Sequence, residues 1–220
     1  MIVIFDLDGT LLNTIDDLGY ACNYALQKAG YPVHPISAYP AMVGNGINML
    51  IRRALPEDVR TEEKVLRVRQ DFVAYYNQHN CDYTRPYAGI PELLRTLRSE
   101  GHQLAVASNK YHEATEKIIR HFFPGTFDCV LGERAGIPRK PDPAVIRDIQ
   151  AQLRKDNPTS VSSILYIGDS LVDRDTARNA GIPFVACSWG FVPAAELQAA
   201  YIPNIVNQPK EICHFVKQGA

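Results

Sequence analysis

Ile2-Val3-Ile4-Phe5-Asp6-Leu7-Asp8-Gly9-Thr10 opens the chain as a short apolar run that breaks into two aspartates and a glycine. Such a run, bounded by a turn signal, reads as a strand buried on both faces, the kind found inside parallel sheets. Similar runs follow at residues 103–108, 127–131, 163–168 and 183–187. Helical segments lie between the later runs: 90–100 closed by Gly101, 113–122, 143–155 with Asp142 at its start, and 171–180 closed by Gly181. This alternation from about Gly89 onward predicts an α/β fold, a Rossmann-like, mostly parallel sheet with helices on both faces.

The first two strand runs are separated by nearly one hundred residues, far more than a crossover helix needs. Helix-like stretches at 15–29, 47–55 and 62–80 occupy that interval. They predict a small helical bundle over residues 14–83, inserted into a core made of 1–13 and 84–220. Proline at position 86 disfavours continued helix and marks the exit.

Composition sets the outer bounds. Of 220 residues 46% are hydrophobic and 21% charged, which suits a packed globular chain. With 23 basic and 24 acidic residues there is no global positive field to hold nucleic acid or an anionic membrane surface. The five cysteines (Cys22, Cys81, Cys129, Cys187, Cys213) are scattered and form no C-x-x-C pair, arguing against a disulfide framework or a zinc cage. Asp6 and Asp8 interrupt the N-terminal apolar stretch, so it lacks a signal-peptide core, and no apolar segment is long enough to span a bilayer. A soluble cytoplasmic protein is expected; the sequence assigns no oligomeric state.

Four stretches carry chemistry. Alternation along the first strand aims Asp6 and Asp8 to one side, and Gly9 lets the chain turn and bring backbone N–H groups close to a ligand. Two carboxylates in one small space favour a cation between them or a raised pKa on one of them. Taken alone, D-x-D-G also reads as an acidic surface turn. A calcium loop fails on spacing, since its glycine would come five residues after the first aspartate rather than three. Tyr166-Ile167-Gly168-Asp169-Ser170-Leu171-Val172-Asp173 again ends a buried strand in acid and starts a helix, with Asp173 one turn beyond Asp169. Asp169 alone equally reads as a helix cap, and Asp173 as a complement to the helix dipole. Ser108, in Val106-Ala107-Ser108-Asn109-Lys110, ends a third strand, and Lys140 sits before the Pro141-Asp142-Pro143 turn. Strand ends in a parallel sheet share one edge, where ligands bind. Several acids, a lysine and a hydroxyl gathered there suit Mg²⁺ with a phosphoryl group.

These four motifs, in this order, resemble those of the haloacid dehalogenase-like phosphohydrolases: DLDGT, Ser108, Lys140 and GDSLVD, covering the chain to about Gly181. The resemblance implies a Rossmann-like core with an inserted helical (type C1) cap. The stretches 12–18, Val43-Gly44-Asn45-Gly46, 85–90 and Ser188-Trp189-Gly190-Phe191 are similar to the phosphoglycolate phosphatase subgroup. Asn13 departs from the pattern, standing where many relatives carry an acid, at the cap entrance.

From this follows an expected Mg²⁺-dependent phosphatase acting on a small phosphorylated metabolite, phosphoglycolate first among the candidates. Asp6 would be the nucleophile and Asp8 the general acid and base. The resemblance gives Mg²⁺ to the carboxylates of Asp6 and Asp169 and the backbone carbonyl of Asp8, with Asp173 supporting the metal or orienting Lys140. Ser108 and Lys140, with Gly9 and Asn109 beside them, would bind phosphoryl oxygens. In the cap, Gly44, Asn45, Gly46 and Arg52 are candidate substrate contacts, although the glycines equally read as a helix-start turn and the arginines at 52 and 53 as solvated. The histidines form no spaced metal pair and receive no role. A pyrophosphate, nucleotide or sugar-phosphate substrate is the nearest alternative. A phosphomutase is disfavoured because the insert lacks a Thr-Arg-Gly type motif, and a dehalogenase because it needs no acid at position 8. An idle binding module is disfavoured by the intact motifs.

Overall fold

The computed structural model describes residues 1–155 and 163–219. In chain order its elements are β1 (Ile2–Phe5), β2 (Leu12–Asn13), α1 (Ile15–Lys28), α2 (Ile47–Ala54), α3 (Glu62–His79), β3 (Arg85–Pro86) and α4 (Ile90–Ser99). Then come β4 (Gln103–Tyr111), α5 (His112–Phe122), β5 (Cys129–Glu133), α6 (Ala144–Lys155), β6 (Ile164–Gly168) and α7 (Leu171–Ala180). The described chain closes with β7 (Phe184–Cys187), α8 (Ala194–Ala199), β8 (Ile205–Val206) and α9 (Ile212–Lys217).

All four residues of β1 are buried, because the strand sits between β4 and β6 in a parallel sheet of order β5-β4-β1-β6-β7-β8. Alternate residues feed two cores. Val3, Phe5, Val106 and Ile167 face the side covered by α4 and α5, whereas Ile2, Ile4, Ala105 and Tyr166 face the side covered by α6 and α7. From β1 the chain works outward to β4 and β5, then returns to β6 and leaves in the other direction. That reversal opens a crevice at the carboxyl edge beside β1. Phe5 pairs with both Val106 and Ile167, so the residues that follow on β1, β4 and β6 emerge level at that edge.

The segment between β2 and β3 is helical, as the periodicity predicts, and its α3 packs on both α1 and α2. The expected runs need small corrections. The second strand continues past Ser108 to Tyr111 with a register shift after Ala107. The third starts at Cys129 rather than Phe127, whose ring instead packs edge-on against Phe5 and Phe123. A two-stranded antiparallel pair, β2 with β3, was not legible in the sequence; it joins the two chain crossings between core and cap. Asp17 reinforces it, accepting from the backbone N–H of Tyr83 and Thr84 and the Thr84 hydroxyl at 2.6–2.9 Å. Asn13, the departure at this entrance, accepts from the Ile15 N–H at 3.3 Å. No helix among the described residues is long and apolar enough to cross a membrane.

Candidate active site

The acids at the ends of β1 and β6 converge. Oxygens of Asp6, Asp169 and Asp173, all buried, lie within 4.8 Å of one another. Ser170 and not Asp169 caps α7: its hydroxyl accepts from the Asp173 N–H, while Asp173 Oδ2 accepts from the Ser170 hydroxyl and N–H. This capping box frees the Asp169 side chain for the crevice. Asp169 accepts from the Thr10 hydroxyl (3.2 Å) and the Phe191 N–H (2.7 Å). Backbone comes so close that a Cβ on Gly9, which has φ +87°, would stand 2.3 Å from the Asp169 carboxylate, and one on Gly190 only 2.2 Å from Asp169 Cβ.

Lys140 lies among these acids with a 3% exposed side chain. Its ammonium donates to Ala107 O (2.9 Å), the Tyr166 hydroxyl (3.0 Å) and Asp173 Oδ1 (2.8 Å). Those three bonds use its three protons. Asp6 Oδ1, although 2.8 Å from the same nitrogen, is therefore an ion-pair partner without a hydrogen bond: a buried carboxylate oxygen with no donor. Burial opposes the Lys140 charge, but Asp173 and Asp6 more than offset it and hold the ammonium above its usual range. Burial, then Asp173, push the Asp6 carboxyl well up despite Lys140; the same two causes push Asp169 up to about 7.

An unpartnered buried oxygen on Asp6, a second carboxylate on Asp169 and an excess of acid over base fit a hard divalent cation. Asp173 does not share that freedom, since both its oxygens are engaged by Lys140, Tyr166 and Ser170. The signs give a pH test. A carboxyl raised on folding favours the folded state below the unfolded pKa near 4, and for Asp169 that advantage is lost as pH rises through about 7. With chelator present, the Tm is expected to fall between pH 5 and pH 7.5. At one fixed Mg²⁺ concentration, 100-fold over its Kd at pH 7.5, the ion would add about 2.7 kcal/mol there, roughly 5–10 °C for a chain this size, and should add less at pH 5. Thermal melts showing an equal Mg²⁺ shift at both pH values would contradict this site.

Asp8 stands beside this group, held by Lys110, whose ammonium reaches its two oxygens at 2.8 and 2.9 Å, and by the Thr14 hydroxyl at 2.7 Å. Lys110 was not singled out from the sequence. It is buried, lies 5.0 Å above the Tyr76 ring of α3, and so links the core acid to the cap. Tyr166 was likewise missed; strand alternation places its ring in the core and its hydroxyl on Lys140 and Asp173.

Ser108 and Asn109 end the regular part of β4 and line the same cavity as Asp6, Asp8, Lys140 and Asp169. The Asn109 carboxamide is committed elsewhere: it accepts from the Lys140 N–H and donates to the carbonyls of Lys140 and Gly44. It clips the Lys140 loop and touches the cap. Gly44, Asn45 and Gly46 line the cavity, but Arg52 does not, its guanidinium turning to Glu62 and the Arg60 carbonyl. Arg53 lines it instead. Arg53 is three residues after the cavity-lining Leu50 and shares its face of α2.

The family model of the haloacid dehalogenase-like hydrolases matches residues 3–187. The chain belongs to this family. Among curated relatives, a phosphoglycolate phosphatase of Cereibacter sphaeroides (strain ATCC 17025) is 33% identical over 192 residues, covering 86% of this chain and 85% of that one. The phosphoglycolate phosphatase of Aquifex aeolicus is 30% identical, covering 87% and 86%. A solved Lactobacillus delbrueckii subsp. bulgaricus structure of the phosphoglycolate phosphatase type superposes with TM-score 0.86 at 33% identity, over 96% of this chain and 95% of that one. The parallel core with its helical cap is the architecture this chain shares with that structure.

Proposed function

We propose that the chain is a Mg²⁺-dependent phosphatase that hydrolyses a small phosphate monoester through an aspartyl-phosphate on Asp6. The observation that carries this reading is Asp6 Oδ1, buried, without a hydrogen-bond donor, and 2.8 Å from the Lys140 ammonium at the floor of the cavity. Uncatalysed monoester hydrolysis is slow enough that catalysts accelerate it by up to ~10²¹-fold, so several effects must combine. In the first step an Asp6 oxygen bonds to phosphorus, the bond to the leaving oxygen breaks, and Asp8 gives that oxygen a proton. In the second, Asp8 takes a proton from water, the water oxygen bonds to phosphorus, and inorganic phosphate leaves with Asp6 restored. Mg²⁺, bound by the Asp6 and Asp169 carboxylates and the Asp8 carbonyl, would reduce the repulsion between nucleophile and phosphate. Ser108 receives phosphoryl oxygens, Lys140 supplies positive charge beside Asp6, its three protons being engaged, and Asn109 contributes through its N–H, its carboxamide being engaged; the Gly9 N–H donates to the Leu12 carbonyl at 2.9 Å, so Gly9 shapes the turn and is not a phosphate donor. Asp173 orients Lys140.

The same reading divides the chain into a core of 1–13 and 84–220 and a cap of 14–83 that closes over the substrate and excludes water. Phosphoglycolate, the substrate in the relatives' names, is the first ester to test, and a cytoplasmic location fits such a metabolite. No nucleic-acid or membrane partner enters this reading.

Asp8→Asn discriminates the roles. For an alkyl ester, kcat should fall by about 10²–10⁴. For p-nitrophenyl phosphate, whose leaving group needs no proton, one equivalent of nitrophenol should appear in a fast burst before slow turnover. Equal losses on both esters without a burst would remove Asp8 from the acid role.

A further inference from the structure

The cavity over Asp6 has a volume of about 560 Å³, in the range of pockets that hold drug-sized ligands, and far more than a phosphoryl group with a glycolate tail requires. Its cap side is walled by Leu18, Pro40, Val43, Ile47, Leu50 and Phe72. Among the described residues three cations line it, and each is engaged. Lys140 serves Asp173, Tyr166 and Ala107 and pairs with Asp6. Lys110 holds both oxygens of Asp8. Arg53 directs Nη1 at the carbonyls of Met42 and Val43 and Nη2 at Asn45 Oδ1, so it fixes the glycine-rich loop. Glu196 adds a further acid at the rim.

A substrate carboxylate reaching the cap side of this space would meet the apolar wall and an acid at the mouth; of the cations, Lys110 and Lys140 are paired with acids and Arg53 spends three N–H groups on the glycine-rich loop. Desolvating a carboxylate without a partner is costly, whereas an apolar group gains from burial in proportion to its area. We infer that the leaving group this chain selects is uncharged and predominantly apolar, an alkyl or aryl alcohol larger than glycolate, and that phosphoglycolate is a poor substrate for it. The inference rests on the phosphatase reading above and deepens it. Arg53, which lines the cavity, serves as a loop clamp.

Two comparisons test it, both on the full chain with Mg²⁺. Isobutyl phosphate has nearly the shape of phosphoglycolate, with methyl groups in place of carboxylate oxygens. Its kcat/KM is expected to exceed that of phosphoglycolate by about tenfold or more, equivalent to ~1.4 kcal/mol. Along the series from ethyl to hexyl phosphate the leaving oxygen keeps nearly the same basicity. Here kcat/KM should rise about 3- to 4-fold per methylene until the cavity is filled, from the transfer value of a buried methylene. Ala41→Lys adds a cation at an exposed position on the cavity wall and should shift the ratio toward phosphoglycolate by up to about fivefold. A preference for phosphoglycolate, or a flat alkyl series, overturns the inference while leaving the phosphatase reading intact. Absence of Mg²⁺-dependent hydrolysis of every ester, p-nitrophenyl phosphate included, overturns the phosphatase reading and this inference with it.

Discussion

Asp6→Asn is expected to lower kcat by a factor on the order of 10⁴–10⁶ with the fold intact. Asparagine keeps the shape of the side chain but offers phosphorus no anionic oxygen, and no neighbour can take over. Asp169 is held by Thr10 and Phe191, Asp173 by Lys140, Tyr166 and Ser170, and Asp8 by Lys110 and Thr14. The substitution also removes one of the two buried acids, Asp6 and Asp169, that burial and the Asp173 charge push up in pKa. The metal-free variant should therefore melt no lower than the parent near pH 7.5, and should lose much of the Mg²⁺ shift. Circular dichroism and thermal melts separate this from misfolding. Residual turnover above about one per cent in a clean preparation would point to a different nucleophile, given the size of the effect expected for a covalent catalyst.

Lys140→Met carries the second large effect, and here stability and catalysis fall together. The ammonium is the buried positive charge that balances Asp6 and Asp173, and removing one partner of such a group leaves uncompensated charge worth about 3–5 kcal/mol. Losing the fixed positive charge beside the phosphoryl group lowers kcat/KM by a further factor of about 10²–10³. Lys140→Arg should not rescue either property, because a planar guanidinium does not fit the tripod formed by Ala107 O, Tyr166 Oη and Asp173 Oδ1. The double variant Lys140→Met, Asp173→Asn separates the two roles. Removing the orphaned carboxylate should recover part of the lost stability in urea titration without recovering turnover. If the single variant is as stable as the parent, the charge balance described here is wrong.

How much of this was legible beforehand depends on how local the cause is. Asp6, Asp8, Ser108 and Asp169 could be placed because each follows a buried apolar run, and a parallel sheet puts all such ends on one edge. Helices α1 to α7 could be read from periodicity and their glycine and aspartate punctuation to within about two residues, an ordinary uncertainty at helix ends. Pairings across long separations carried no such signal. Lys110 meets Asp8 across 102 residues, past the point where the β4–β5 register shifts, and Tyr166 meets Lys140 only once the loop before α6 has folded back. The hinge pair β2–β3 is two residues long and has no periodicity to detect. Arg52 and Arg53 differ by one step of helical phase. The choice between them turned on Glu62 at the start of α3 and on carbonyls of the glycine-rich loop, contacts made through tertiary folding.

The identity of the phosphorylated atom decides the account. Asp8→Asn, mixed with p-nitrophenyl phosphate and Mg²⁺ and quenched in acid during the burst, should carry close to one phosphoryl group per chain. Peptide mapping by mass spectrometry should place it on Asp6, the sole carboxylate left between Ile2 and Thr10 in that variant. A burst with no adduct, or an adduct on any other residue, would contradict the proposed chemistry.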